Sequence, residues 1–207
     1  MLTLNSITVQ KNQQVIFEKL GFSCGLGSCL ILSGKNGSGK TTLLKTIAGL
    51  CTPNSGEILW NGENVKNFHS DFSSDINYIG HRNFLKPQLS VLENMTFYAD
   101  LSDTRIAMPM AIKYFGLEEI LDKPVKQLSS GWQKKIMLAK LLYQPKTIWL
   151  LDEPTINLDK KTKELLFELV KTRIREGGIV IIATHDEDIF PHMGKSSGTI
   201  LLEDFKN

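Results

Sequence analysis

The sequence has no apolar run near the roughly 20 residues that a membrane-spanning helix needs. Its longest apolar stretches, "IWLL" and "IVIIA", have the length of strands. Its start, "MLTLNSITVQKNQQ", lacks the basic-then-apolar order of a secretory signal, so residence in the cytosol is expected unless a partner holds it at a membrane. It has little net charge: 24 Lys and Arg face 22 Asp and Glu, a formal +2, too small an excess to argue for a nucleic-acid partner. Cysteine is scarce and odd in number. Cys24, Cys29 and Cys51 cannot form a complete disulfide framework, and "CGLGSC" is not a zinc-ligand spacing. They read as small apolar residues near strands. There is no C-x-x-C-H haem-attachment pattern, no internal repeat and no long linker. What remains is a chain of 207 residues, 42% hydrophobic and 22% charged, able to bury a core and expected to form a single domain over 1–207.

Periodicity supplies the elements. "LTLNSITVQ" and "QVIFEKLGFSC" alternate apolar and polar residues, as half-buried strands of an antiparallel pair do. "SCLILSG" is short, apolar and ends in glycine, which suits a buried strand. "KTTLLKTIAGL" follows with Leu43, Ile47 and Leu50 at helical spacing. "PNSGEILWNGENV" reads as a turn, a strand and a second turn at Asn61-Gly62, and "INYIG" as another short strand. From Lys86 to Lys126 the pattern is helical, and "GWQKKIMLAKLLYQP" is a helix stopped by Pro145. "TIWLLDEP" and "IVIIATHD" are buried strands flanking a long amphipathic helix that ends at Gly177-Gly178. "TILLEDF" closes the chain. Strands alternating with helices predict an α/β fold with a mostly parallel sheet, an antiparallel β portion at the start, and a helical insertion near 86–130.

Three stretches carry chemistry. "GKNGSGKT", Gly34 to Thr41, fits G-x-x-x-x-G-K-[ST] in full, after a predicted strand and before a predicted helix. In that context Gly34, Lys35, Asn36, Gly37, Ser38 and Gly39 curl backbone N–H groups around phosphates at a helix N-terminus, with Thr42 in the first turn. Lys40 reaches the β- and γ-phosphates of ATP and the Thr41 hydroxyl ligates Mg²⁺. In "IWLLDEP", Asp152 at a strand's C-terminal end can hold the Mg²⁺ shell, and Glu153 beside it is placed to orient and deprotonate an attacking water. In "IVIIATHD", His185 ends another buried strand at the same sheet edge. A lone histidine is often a structural residue; here the strand end aims it at the γ-phosphate region. "LSSGWQKK", Leu128 to Lys135, is a second Ser/Gly turn at a helix start, which by itself reads as a serine N-cap.

Taken in order, Gly34–Thr41, "LSSGWQ", "IWLLDEP", "TINLD" and "ATHD" resemble the nucleotide-binding subunits of ABC transporters over nearly the whole chain. The resemblance implies a P-loop ATPase acting as a homodimer with two composite sites. Ser129, Ser130, Gly131 and Trp132 would then cap ATP bound by the partner copy rather than their own. Asp159 would couple the two sites, besides serving as a helix N-cap. Within the family, "GEILWNG", "YIGHRNFLKPQLSVLENMTFY" and "GGIVIIATH" look like the ATP-binding subunits of cytochrome c maturation systems. That implies a peripheral position on the cytoplasmic face of the inner membrane and an integral CcmB-like subunit. CcmC-, CcmD- and CcmE-like proteins would lie in the pathway, with ATP spent on haem export or on release of the haem chaperone.

Departures from the family pattern are instructive. His81 stands where most ABC subunits have a glutamine that contacts Mg²⁺ through water and faces the membrane subunit. It is a candidate for metal contact and coupling, with Arg82 and Gln88 as substitutes. The N-terminal strand loop, "VQKNQQVIF", has no aromatic before Phe17 to stack on adenine. Trp132 takes a place usually held by glutamine. It reads either as an anchor on the helix face 132, 136, 139, 143, or as an indole lining the composite site. Three other classes remain open at this stage: an ABC subunit for another substrate, a soluble ABC ATPase acting on nucleic acid or ribosomes, and a P-loop kinase. The modest charge argues against the second, and "LSSG", Glu153 and His185 oppose the third.

Overall fold

The alternating segments at the start pair as expected. In the computed structural model, which describes residues 1–81, 83–185 and 197–205, β1 (Leu2–Lys11) and β2 (Gln14–Cys24) form an antiparallel hairpin. β4 (Ser55–Trp60) pairs with the other edge of β1, and β5 (Glu63–Asn64) returns against β4. The Asn61-Gly62 turn between them has φ 53° and 87°, the left-handed pair that a tight hairpin needs and that Asn-Gly supplies.

A second, all-parallel sheet carries the strands read as buried. Among the described residues its order is β6 (Ile76–Ile79), β7 (Ile148–Asp152), β8 (Ile179–Ala183), β3 (Ser28–Ser33), β9 (Ser197–Leu201). The central strands β3, β7 and β8 are apolar along their length because both of their faces are covered. On β3, β7 and β8, Cys29, Ile31, Trp149, Leu151, Val180 and Ile182 face one core. Leu30, Leu32, Ile148, Leu150, Ile179 and Ile181 face the other. The first core is closed by α3 (Val91–Asp100), α4 (Met108–Phe115), α5 (Ser130–Tyr143) and α6 (Lys160–Arg175). The second lies under α1 (Lys40–Ile47) and the antiparallel sheet. The cysteines behave as their spacing suggests. Cys24 and Cys29 are buried free thiols, and burial pushes them up to about 11 and about 12.

Differences from the sequence reading are local. Leu50 was expected on the buried face of the first helix, but α1 ends at Ile47 and Leu50 is 65% exposed. Gly49, at φ 74°, turns the chain there. A short helix, α2 (His69–Ser74), stands between β5 and β6, a segment to which periodicity assigned no element. The helical stretch 86–126 is α3 and α4 with one short 3₁₀ turn, Arg105–Ala107, between them and two more after α4. α3 starts on a capping box, in which Ser90 Oγ accepts from Glu93 N and Glu93 Oε2 accepts from Ser90 N.

Candidate functional site

The C-terminal ends of β3, β6, β7 and β8 meet at one edge of the parallel sheet, where this kind of fold places ligands. The loop after β3 is Gly34–Gly39, leading directly into α1. Gly39 sits at φ 106°, and a Cβ there would meet Ile16 Cγ2 at 2.7 Å and Phe17 Cδ1 at 3.2 Å. The glycine thus serves both the backbone turn and the close approach of β2. A cavity of about 440 Å³ opens over this loop, lined by residues 36–42 with Ile16, His81, Asp152, Glu153, Ile156 and His185. Lys40 is only 6% exposed, and its Nζ folds back onto the carbonyls of Gly34 at 2.5 Å and Lys35 at 3.2 Å.

β7 delivers the carboxylates. Asp152 Oδ1 accepts from the Thr41 hydroxyl at 3.1 Å, while its buried Oδ2 has no hydrogen-bond partner. Burial raises the Asp152 carboxyl above its usual range. Among the described residues no three His, Cys, Asp or Glu side chains converge as a metal cage. One hydroxyl and one orphaned carboxylate oxygen instead suit a hard cation that takes its other ligands from phosphate and water.

Glu153 is the strained residue of the site, with φ 46° on a side chain that is not glycine. Its N–H is held by Ala183 O at 2.8 Å. Its Oε1 lies 2.8 Å from His185 Nδ1, and its Oε2 accepts from the Thr184 hydroxyl at 3.3 Å. The end of β8 therefore orients the carboxylate that β7 presents, and His185 acts on Glu153 as well as facing the cavity. Oriented in this way, Glu153 has the geometry of a general base.

Ser129 and Ser130 start α5, and the Ser129 hydroxyl caps Trp132 N at 3.5 Å. Ser130 lines a second cavity of about 240 Å³, which shares His81, Glu153 and Ile156 with the first. Ser129, Gly131 and Trp132 line neither cavity. The Ser129–Gly131 turn is instead locked to the loop after β7. A Cβ on Gly131 would strike Asn157 O at 2.7 Å, and Lys135 Nζ pairs with Asp159 Oδ2 at 3.0 Å.

Trp132 is half-buried against the helical core, with Lys135 Nζ 4.6 Å from its ring centroid. Ile136, Ala139 and Tyr143, its face partners, are all buried there. This geometry favours the anchor reading. Trp132→Gln is expected to cost about 1–2 kcal/mol of stability, with ATP-driven association falling only in proportion to folded protein. A Tm equal to the parent's with weakened association would return the indole to the composite site.

Asp159 caps α6, accepting from Thr162 N at 2.7 Å. That amide, then Lys135 and the Thr162 hydroxyl, hold its carboxyl down at about 2. A depressed carboxyl stabilises the fold above its unfolded value near 4 and loses that contribution as pH falls towards 2. The Tm gap between parent and Asp159→Asn should accordingly be at its full size from about pH 5 upward and close as the pH approaches 2. A gap independent of pH would refute the assignment.

Of the sequence candidates, the structure gathers Asn36 to Thr42, His81, Asp152, Glu153 and His185 into one cavity. Gln88 is engaged elsewhere, accepting from Lys126 Nζ at 2.9 Å. Arg82 lies outside the described residues. Sequence reasoning missed Ile16, Ile156, Thr184 and Lys134. Ile16 is the side chain that β2 brings to the cavity where no aromatic is available. Lys134 is 9% exposed and reaches Asp152 O in a long 3.4 Å contact. Burial pushes its ammonium down to about 8, against the pull of Asp152 and Glu153. The signal was present: Lys134 falls at helical spacing with Met137 and Leu141, both buried.

The family model described as "ABC transporter" matches residues 17–156, which span the phosphate loop, the signature turn and both carboxylates. The chain belongs to the ABC transporter ATPase family. Curated relatives extend the likeness to nearly full length. The cytochrome c biogenesis ATP-binding export protein CcmA of Wolbachia pipientis wMel is 37% identical over 185 residues, 89% of each chain. The protein of the same name from Agrobacterium fabrum is 38% identical over 189 residues, 89% of this chain and 88% of the relative. The dimeric structure of MJ0796, a bacterial ABC transporter cassette, superposes with a TM-score of 0.86 at 24% identity, covering 98% of this chain and 95% of that one. The same cassette bound to ADP and Pi gives 0.85. At that identity the superposition speaks for the fold, which is the P-loop ABC ATPase fold. The family makes this chain an ABC-type ATPase. No helix among the described residues is long and apolar enough to cross a membrane.

Proposed function

We propose that the chain is the ATP-hydrolysing subunit of an ABC complex in c-type cytochrome biogenesis, powering haem export or release of the haem chaperone. It would work as a homodimer on the cytoplasmic face of the inner membrane, against a CcmB-like integral subunit, with CcmC-, CcmD- and CcmE-like proteins in the same pathway. The observation that carries the chemistry is the Glu153–His185 contact at 2.8 Å beside the phosphate-loop cavity. Support for the pathway comes from the CcmA relatives at 34–39% identity.

In this reading the backbone N–H groups of residues 36–42 and Lys40 hold the phosphates of ATP. Thr41 and Asp152 would hold Mg²⁺, which neutralises charge on the phosphate oxygens. His81 lines both cavities beside Asp152, a position from which it can sense that cation and the membrane subunit. Glu153, steadied by Thr184 and His185, takes the proton of a water that attacks the γ-phosphorus as the bridging oxygen leaves with ADP. Ser129, Ser130 and Gly131 cap the partner's ATP. Within 1–207, the segment 86–130 forms the helical portion presented with that signature turn.

The test is recovery of the chain from native membranes with and without ATP, followed by identification of what comes with it. Co-recovery of a CcmB-like membrane subunit is the expected result. Recovery with an unrelated permease would assign the ATPase to another substrate, and recovery with ribosomes would remove the transport reading altogether.

A further inference from the structure

The cavity's motifs do not account for what holds the phosphate loop from outside. β9 runs parallel to β3, with Leu201 opposite Ser33, so the residues after β9 arrive beside the start of the loop. There the Lys35 N–H donates to Glu203 Oε1 at 2.6 Å. Glu203 stands on a turn, Leu202–Phe205, that is fixed by Leu202, which is fully buried. A Cβ on Gly34 would lie 2.7 Å from both Glu203 Oε2 and Ser38 Oγ. Gly34, at φ 145°, is favoured by its backbone and leaves room for both side chains to come this close.

We infer that Glu203 is a positioning residue of the nucleotide site, acting on Lys40 through one peptide unit. The N–H of Lys35 and the C=O of Gly34 belong to the same planar trans peptide and point in opposite directions. Fixing the N–H on Glu203 therefore aims the Gly34 carbonyl the other way, where it accepts from Lys40 Nζ at 2.5 Å. Lys35 O, the next carbonyl, receives Ser38 N at 3.0 Å and Lys40 Nζ at 3.2 Å. Without the carboxylate, a peptide that begins at a glycine is free to rotate, and Lys40 loses its set position before ATP arrives. Pre-organising the loop in this way lowers the ordering cost of binding.

The inference rests on the reading that Gly34–Thr41 cradles the phosphates, and the experiment separates the two. ATP affinity of the full chain is measured at equilibrium for Glu203→Ala, Glu203→Gln and Lys40→Ala, alongside exchange of the Lys35 amide hydrogen without nucleotide and the Tm. Glu203→Ala is expected to weaken ATP binding by roughly three- to tenfold, to speed Lys35 exchange and to leave kcat within about twofold. Glu203→Gln, which keeps an acceptor oxygen, should restore both affinity and exchange. Parental affinity in Glu203→Ala overturns the proposal, as does a glutamine variant no better than alanine. If Lys40→Ala binds ATP normally, it is the phosphate-loop reading that fails.

Discussion

Glu153→Gln is expected to lower ATP hydrolysis by on the order of 10²–10⁴-fold while ATP still binds. The amide keeps the volume of the carboxylate and can still accept from the Thr184 hydroxyl, now 3.3 Å from Oε2. It cannot take a proton from water. The strained backbone at Glu153, φ 46°, is held by the Ala183 carbonyl at 2.8 Å, so the substitution should leave the main chain in place. With chemistry blocked and binding intact, ATP remains between two copies and the dimer persists. Size-exclusion chromatography with ATP should give a stable dimer for this variant and a transient one for the parent. Turnover at the parental rate would remove Glu153 from the base role and leave His185, 2.8 Å away, as the group to test next.

The parts of the site legible in the sequence are those where one local pattern implies one backbone path. Gly34–Thr41 needs its glycines and helix start whatever surrounds it, and the structure places the loop between β3 and α1. Strands buried on both faces must be apolar throughout, so "SCLILS", "IWLL" and "IVIIA" could be read as parallel-sheet strands. Their sharp ends then marked Asp152 and His185. What could not be read depends on pairing across the chain. Ile16 meets the loop because Gly39 lets β2 approach it, and nothing in "VQKNQQVIF" announces that. Thr184 supports Glu153 only because β7 and β8 are neighbours in register, Asp152 opposite Ala183. Leu50 misled because helical spacing extends past a glycine that ends the helix. Glu203 lies 168 positions from its partner Lys35, a separation at which no periodicity speaks.

Lys40→Ala is expected to fail a step earlier than Glu153→Gln, at nucleotide binding. Lys40 is buried as a residue, and its ammonium rests on the Gly34 and Lys35 carbonyls at 2.5 and 3.2 Å. Two backbone carbonyls therefore already take the place of water on it before ATP binds. Moving from two carbonyl dipoles to phosphate oxygens costs it little desolvation and gains a full ion pair in a site of low dielectric. Alanine removes that charge and leaves phosphate oxygens facing a void, with an expected loss of about 2–4 kcal/mol, or roughly 30- to 1000-fold in ATP affinity. The Tm read against ATP concentration measures this loss directly. Parent and variant would then diverge as ATP is added, the parent rising with ligand concentration and the variant staying flat. A variant whose Tm rises with ATP along the parental curve would mean that the phosphates are held without Lys40, and the assignment of Gly34–Thr41 as the nucleotide cradle would have to be withdrawn.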